Sequence, residues 1–141
     1  MYNYLEPEVA GELGEKTKLD FNVHPPIVHF LEYRFDGWLG DCILETFPCF
    51  IIVEDAKKSI EKKCLSGIVF EDVFITTSEF FEEIYPQREL PKFYWAKITG
   101  RAGVNDFGLS NDFRLVVSQK GLDVLKSHNI DNALISNYES E

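Results

Sequence analysis

The sequence predicts an α+β fold, a single domain built on a mostly antiparallel or mixed β-sheet with about three helices. The length of 141 residues fits one domain and is short for two. Hydrophobic residues make up 45% of the chain against 27% that are charged, which supports a buried core and excludes a disordered tail or a coiled coil. Short segments with strand-like alternation are interspersed with segments of helical spacing.

Residues 1–26 are predicted to form an extended N-terminal arm, and residues 27–141 the body of the domain. The arm contains Pro7, Gly11 and Gly14 and shows no sustained hydrophobic period. Its last residues, His24-Pro25-Pro26, favour an extended, polyproline-like backbone. We therefore expect the arm to run over the surface of the body.

The first part of the body reads as a hairpin followed by a buried strand. Residues 27–35 alternate, which places Leu31, Tyr33 and Phe35 on a core face. Turn residues over 35–41 predict a reversal into a second strand at 42–46. After Pro48, residues 49–53 are fully apolar and predict a buried strand.

The middle of the chain predicts two helices and two more strands. Helical spacing over residues 54–65, with acids in the first turn and lysines in the last, predicts a helix closed by Gly67. Residues 69–77 predict one strand, Ser78 the cap of a short helix that ends at Ile84, and residues 92–99 an aromatic strand.

The last part predicts a polar loop at residues 104–112, a strand at 114–117, a helix at 119–128 capped by Ser118, and a strand at 133–136.

One internal pattern occurs twice. A strand, a helix, a tight stop and a strand span residues 51–69 and again residues 115–134. Ile60 and Leu125 occupy equivalent core positions in the two copies, and Gly67 matches Asn132. Glycine and asparagine are the residues that most readily adopt the left-handed conformation that ends a helix. The pattern predicts the same local structure used twice.

The charge balance indicates the kind of partner. Asp plus Glu number 24 and Lys plus Arg 14, for a net charge of −10. This argues against direct nucleic-acid binding, which draws its affinity from Lys and Arg. A basic protein is the partner that such a surface suits, whereas acidity that serves only solubility is the alternative.

The side chains that could support catalysis lack the usual spacings. The histidines form no H-x-x-x-H or H-E-x-x-H pattern, so we expect no metal and no cofactor. The three cysteines lie in apolar surroundings and are predicted to be small buried hydrophobes. No serine lies in G-x-S-x-G and no glycine-rich phosphate loop is present. We expect a protein that is not an enzyme; a small hydrolase that uses carboxylates or His29 is the alternative.

Two loops supply the candidate binding residues. The first carries Trp38 between two glycines and next to acids, the composition of a hot spot for a basic partner. The alternative is that Trp38 folds back over the core. The second loop, residues 103–112, carries an aromatic and two acids. The predicted partner-binding residues are Asp36, Trp38, Asp41, Glu45, Asp106, Phe107 and Asp112.

The repeated unit also carries a family resemblance. VEDAKKSIEKKCLSGIVFEDV (residues 53–73) and RLVVSQKGLDVLKSHNIDNAL (residues 114–134) resemble the strand, helix, and isoleucine- or leucine-glycine pattern of bacterial immunity proteins that accompany polymorphic or contact-dependent toxins. The resemblance implies a small cytoplasmic α+β protein that binds and neutralises a cognate toxin domain and has no catalytic residues of its own.

Two further expectations concern location and self-association. No apolar run approaches the about 18 residues of a membrane span, and the first residues lack the order of a secretory signal, so we expect a cytoplasmic protein with no membrane partner. A non-catalytic, self-associating scaffold is a further alternative if the aromatic residues around Phe80 and Tyr94 are exposed.

Overall fold

The computed structural model describes residues 1–139 and confirms the α+β class. The helices are α1 (Glu54–Lys62), α2 (Glu79–Ile84) and α3 (Gln119–Ser127). The strands are β1 (Tyr2–Glu6), β2 (Gly11–Leu13), β3 (Lys18–Asp20), β4 (Ile27–Phe30), β5 (Glu32–Phe35), β6 (Ile43–Thr46), β7 (Cys49–Val53), β8 (Ile68–Glu71), β9 (Phe74–Thr77), β10 (Phe93–Ile98), β11 (Phe107–Leu109), β12 (Leu115–Ser118) and β13 (Leu134–Asn137).

The strands form two four-stranded sheets and two smaller ones. The central sheet has the order β6-β7-β10-β8, and the terminal sheet has the order β11-β12-β1-β13. A three-stranded sheet, β2-β5-β9, and the β3-β4 pair complete the fold. Neighbouring strands are antiparallel except for β5 and β9, which are parallel.

The central sheet is buried on both faces. On one face, Ile52 and Ala96 join a core with α1, α3 and the terminal sheet. On the other, Ile51 and Trp95 join a second core with β5 and α2. Because both faces of β7 are buried, the side chains on both faces are apolar, and the sequence of this strand is an unbroken apolar run. The predicted buried strand at 49–53 is confirmed.

The predicted internal repeat is confirmed by the topology. In one copy β7 and β8 flank β10, and in the other β12 and β13 flank β1. The two helices contact each other, and Ile60 and Leu125 are both buried in the shared core.

The residues that end the two helices differ from those predicted. The left-handed backbone conformation after α1 falls on Cys64 (φ 53°), and that after α3 falls on Asn129 (φ 87°). Gly67 also has a positive φ, 87°, but lies beyond the helix end. The equivalent stop positions are therefore Cys64 and Asn129, three residues before Gly67 and Asn132.

The prediction of a surface arm is wrong for β1. β1 lies between β12 and β13 in the terminal sheet, and the Leu5 side chain is only 2% exposed. The segment is extended, as predicted, but it supplies a strand that pairs on both of its edges. Residues 1–6 are thus part of the body.

The predicted hairpin across residues 35–41 is also wrong. Residues 27–35 break at Leu31, and β5 pairs with β2 and β9 whereas β6 pairs with β7. The actual hairpin joins β6 to β7, with Thr46 opposite Cys49 and only Phe47 and Pro48 between them. Residues 35–41 instead carry the chain from one sheet to another.

Two other segments differ from prediction in the same way, whereas the helix caps agree. Residues 69–77 divide into β8 and β9, which belong to different sheets, and the loop at 104–112 contains β11. Ser78 and Ser118 cap α2 and α3 as predicted, and each hydroxyl accepts a hydrogen bond of 3.1 Å from the N–H three residues later. No helix within residues 1–139 has the length and apolar character to cross a membrane.

Candidate functional site

Trp38 folds back onto the core, which is the alternative prediction for its loop. The indole Nε1–H donates to the Asp41 carbonyl oxygen at 2.9 Å. The ring packs edge-on against Phe93 with a centroid separation of 5.7 Å. Trp38 is half-buried, so one part of the indole remains at the surface.

Asp41 is not available to a partner, contrary to its selection as a binding residue. Its side chain is 0% exposed. The carboxylate accepts hydrogen bonds from the Asn132 backbone N–H at 3.0 Å and from Asn132 Nδ2 at 2.9 Å. Asp41 therefore ties the Trp38 loop to the segment between α3 and β13.

Phe107 and Asp106 are also predicted to bind a partner, but in the structure both side chains make contacts within the fold. Phe107 is fully buried in the core beneath α3. The Asp106 carboxylate accepts from the Ser66 N–H at 2.9 Å and from the Ser118 hydroxyl at 2.7 Å. Burial alone would raise the Asp106 pKa, but these hydrogen bonds outweigh it and lower the pKa. Asp106 thus links the two copies of the repeat.

Glu45 and Asp112 lie together in a cavity of about 260 Å³, here named the Glu45 cavity. Glu6 is the third acid in its wall, and the rings of Phe47 and Phe113 also line it. These two phenyl rings are 51% and 36% exposed. The cavity therefore combines carboxylates with apolar surface that remains in contact with water.

The charge in the Glu45 cavity is predominantly negative. Burial and the nearby Glu6 charge both raise the Glu45 pKa. The guanidinium of Arg114 lies 3.7 Å from Glu6 and stacks at 3.7 Å from the centre of the Tyr4 ring. One cation thus faces three carboxylates, an imbalance that a cationic group of a partner would relieve.

Asp36 and Trp38 line a second cavity of about 370 Å³, here named the Glu8 cavity. Its wall also contains Glu8, Leu39 and Tyr85. Burial raises the pKa of Glu8, and the nearby Asp41 charge adds to the effect. A hydrogen bond from the Leu39 N–H to Glu8 Oε2, 2.7 Å long, fastens the Trp38 loop to the segment after β1.

The two cavities adjoin, since Val9 lines both of them. The surface that comprises both cavities is here named the acidic face. Four of the seven predicted residues lie on it, namely Asp36, Trp38, Glu45 and Asp112. Residues 6–9, which link the two cavities, come from the segment that the sequence predicts only as an arm.

Sequence reasoning missed several residues of this face: Glu6, Glu8, Val9, Leu39, Phe47 and Phe113. Phe47 could have been found, because a large apolar side chain in a two-residue hairpin loop has little chance of burial. Phe113, with φ 63°, carried no comparable signal.

A groove of about 820 Å³ lies elsewhere and contains His29. It is lined by residues of α1, β8 and β10 together with residues 29–31. Two of its carboxylates already form ion pairs with lysines, Glu61 with Lys57 and Glu71 with Lys97, each at 2.9 Å. These ion pairs neutralise two of the carboxylates in the groove wall.

Ser59 and His128 form a pair that resembles part of a hydrolase site, with 2.8 Å between Oγ and Nε2. The pair bridges α1 to the C-terminal cap of α3, and neither residue lines the groove or the acidic face. It joins the two copies of the repeat through their helices.

The prediction that all three cysteines are buried is wrong for Cys64, which is exposed. The two buried thiols are not activated. Burial raises the pKa of Cys42 to about 12 and that of Cys49 to about 12. Only the thiolate is a strong nucleophile or metal ligand. Within residues 1–139, no group of three or more His, Cys, Asp or Glu side chains is arranged to hold a metal ion.

No protein-family model, curated protein or solved structure matches the chain.

Proposed function

We propose that this chain is an immunity-type protein that binds a basic bacterial toxin domain through the acidic face and so neutralises it. The observation that carries the proposal is the junction of two carboxylate-lined cavities around Val9, with exposed phenyl rings beside them. The resemblance of the repeated unit to immunity proteins supports the same function.

The two kinds of side chain on the acidic face have separate roles. The carboxylates, within a chain of net charge −10, attract a basic partner and accelerate encounter. The apolar surface of Phe47 and Phe113 is desolvated on docking and slows dissociation. A toxin that acts on nucleic acid carries a basic active-site surface, and the acidic face would cover such a surface.

The test is protection of a host cell. The chains encoded by the neighbouring genes are each expressed from an inducible promoter, with and without this protein; if none of them is toxic, the proposal fails. We expect the wild-type chain to restore growth. Reversing two charges of the acidic face, Glu45→Lys with Asp112→Lys, should abolish protection, because two of the three acids of the Glu45 cavity become cations that repel a basic partner.

A matched variant controls for net charge. Glu79→Lys with Glu83→Lys makes the same change in total charge at exposed acids of α2, and we expect it to protect like the wild type. Circular dichroism establishes that both double variants fold. Equal protection by the two double variants would refute the acidic face as the docking surface, and turnover of a substrate by the purified chain would refute the function.

A further inference from the structure

β13 is the outermost strand of the terminal sheet, and its outer edge carries backbone groups that face no other strand. The Tyr138 N–H donates to the Tyr2 carbonyl oxygen at 3.1 Å, in the same register as the β1–β13 pair. Hydrogen-bonded pairs alternate along an antiparallel ladder, so Ser136 directs its N–H and C=O toward β1, whereas Ile135 and Asn137 direct theirs away. No strand within residues 1–139 pairs with that outer edge.

The other three edges of the two large sheets are bridged or charged. Glu8 forms a bridge with Leu44 of β6, and Arg101 forms one with Leu109 of β11. β8 ends in the charged Glu71. Bridges and charges of this kind keep a sheet edge from pairing with another chain. β13 has the sequence LISN, which contains no charge, proline or glycine, and no bridge in the described part of the chain covers it.

The side chains of β13 are also open to another strand, since all four are exposed. Leu134 is 68% exposed and Ile135 41%. Neighbouring residues of a strand point to opposite faces of the sheet, so this edge presents apolar surface on both faces. A strand alongside β13 would cover that surface and satisfy the outward backbone groups together.

We propose that two copies of this chain pair through β13, antiparallel about a two-fold axis at Ser136, and so join two four-stranded terminal sheets into one of eight strands. In this register Ile135 of each copy is opposite Asn137 of the other. These are the two residues whose backbone groups point outward, so each supplies a donor and an acceptor to its counterpart. Both copies use the same edge, as a two-fold interface requires.

The same register also matches the side chains. Leu134 of each copy is opposite Tyr138 of the other, on the face of the sheet where the Tyr138 ring packs edge-on against Tyr4 with a centroid separation of 5.2 Å. An aliphatic side chain beside an aromatic ring is a favourable cross-strand pair. The symmetry produces this contact twice.

The charge of the strand favours a second copy over a basic partner. A chain of net charge −10 repels its own copies where acids face each other, but β13 contains no ionisable side chain. A basic protein is attracted to carboxylates, and those of the acidic face lie on other segments. The inference is therefore independent of the proposed function.

The first test is the oligomeric state of the purified chain. An edge of four residues buries much less than the about 1,200–2,000 Å² of a stable interface, so we expect a reversible dimer with a Kd on the order of 100 µM. Sedimentation equilibrium at about 10 µM to 1 mM covers this range. A chain that stays monomeric throughout would overturn the inference.

Two variants locate the interface. Leu134→Lys should weaken dimerisation at least about tenfold, because an edge lysine opposes pairing. Ile135→Pro should do the same, because it removes an outward N–H and leaves the bonds to β1 in place. Val69→Lys is the matched control: it makes the same change in net charge at a side chain 46% exposed on β8, and it should dimerise like the wild type. Equal dimerisation of Leu134→Lys and the control overturns the inference.

A cysteine cross-link tests the register. Ser136→Cys, made in a Cys64→Ser background in which the other cysteines are buried, places two thiols directly opposite each other with Cβ atoms about 4.5–5.5 Å apart. It should form a disulfide dimer in oxidised glutathione. Asn137→Cys places them on a diagonal of about 7–8 Å, too far to bridge. Equal cross-linking of the two variants overturns the axis at Ser136. If Ile135→Pro does not fold, Leu134→Lys and the cross-link decide.

Discussion

Replacing Tyr33 by Phe should remove one buried hydroxyl that joins three parts of the fold. Tyr33 is fully buried on β5. Its hydroxyl oxygen accepts from the Ala10 N–H at 3.0 Å and donates to the Glu45 carbonyl oxygen at 3.2 Å. The bonds connect the segment between β1 and β2 with β6, at the back of the acidic face.

The expected loss of stability arises from the group that the substitution leaves unpaired. Phe has nearly the volume of Tyr, so no cavity term arises, but the buried Ala10 N–H loses its acceptor. An orphaned buried donor costs about 1–3 kcal/mol. We therefore expect Tyr33→Phe to lower the free energy of unfolding by about 2 kcal/mol, measured by urea titration at 25 °C with an unchanged m-value.

Tyr2→Phe is the matched control. The Tyr2 hydroxyl also donates to a backbone carbonyl, that of Val104 at 3.2 Å, but this bond is exposed. Water can replace it, so the loss should stay within about 0.5 kcal/mol. Hydrogen exchange at Ala10 should accelerate only in Tyr33→Phe. Equal losses in the two variants would refute the reasoning, because burial would then not determine the cost.

Two further predictions concern ionisable groups. Folding favours the ionised form of Asp106, because the folded-state pKa of this carboxyl lies below its usual value near 3.8. Asp106 therefore stabilises the fold at pH values above about 3.8, and this contribution is lost as the pH falls through the lower folded-state pKa. Urea titrations from pH 7 to pH 2 should show the stability advantage of the wild type over Asp106→Asn shrinking with acidity; a constant difference would contradict this. Among the cysteines, Cys64 is exposed whereas Cys42 and Cys49 are buried with pKa values raised to about 12. A thiol-specific disulfide reagent should therefore label one thiol quickly in the native protein, and Cys64→Ser should abolish the fast phase; rapid labelling of all three would show that the buried pair opens readily.

Local features of this fold could be predicted from the sequence because they depend on neighbouring residues. The caps at Ser78 and Ser118 use a hydroxyl and an N–H three residues apart. The repeat was visible because it recurs in the order of strand, helix and strand. In each case the signal and the structure lie within one short segment.

Strand partners could not be predicted, because pairing joins residues that are distant in sequence. The strand is interrupted at Leu31, and β4 and β5 belong to different sheets, although residues 27–35 alternate without a break in the sequence. Alternation indicates that one side is buried but carries no information on which strand lies alongside. The assignment of a hairpin to the Trp38 loop was wrong for the same reason.

The candidate site was predicted in part, and burial accounts for the errors. Asp112 is exposed and Asp36 and Glu45 are partly exposed, whereas Asp41 is fully buried and its carboxylate is hydrogen-bonded to Asn132. Nothing in the sequence around Asp41 distinguishes it from the other acids, because its partner lies beyond α3. The same holds for Glu8, whose contact is with Leu39 on another segment.

The place of β1 between β12 and β13 sets an order of events during synthesis. The strands of the central sheet lie close in sequence, from β6 to β10, and can pair before β12 and β13 are translated. The terminal sheet forms later, because β1 precedes the central sheet in sequence whereas its two partners, β12 and β13, follow it. Until those two strands are made, Tyr4 and Leu5 have no sheet to join, so the long sequence separation between β1 and its partners makes the terminal sheet the slower of the two large sheets to form.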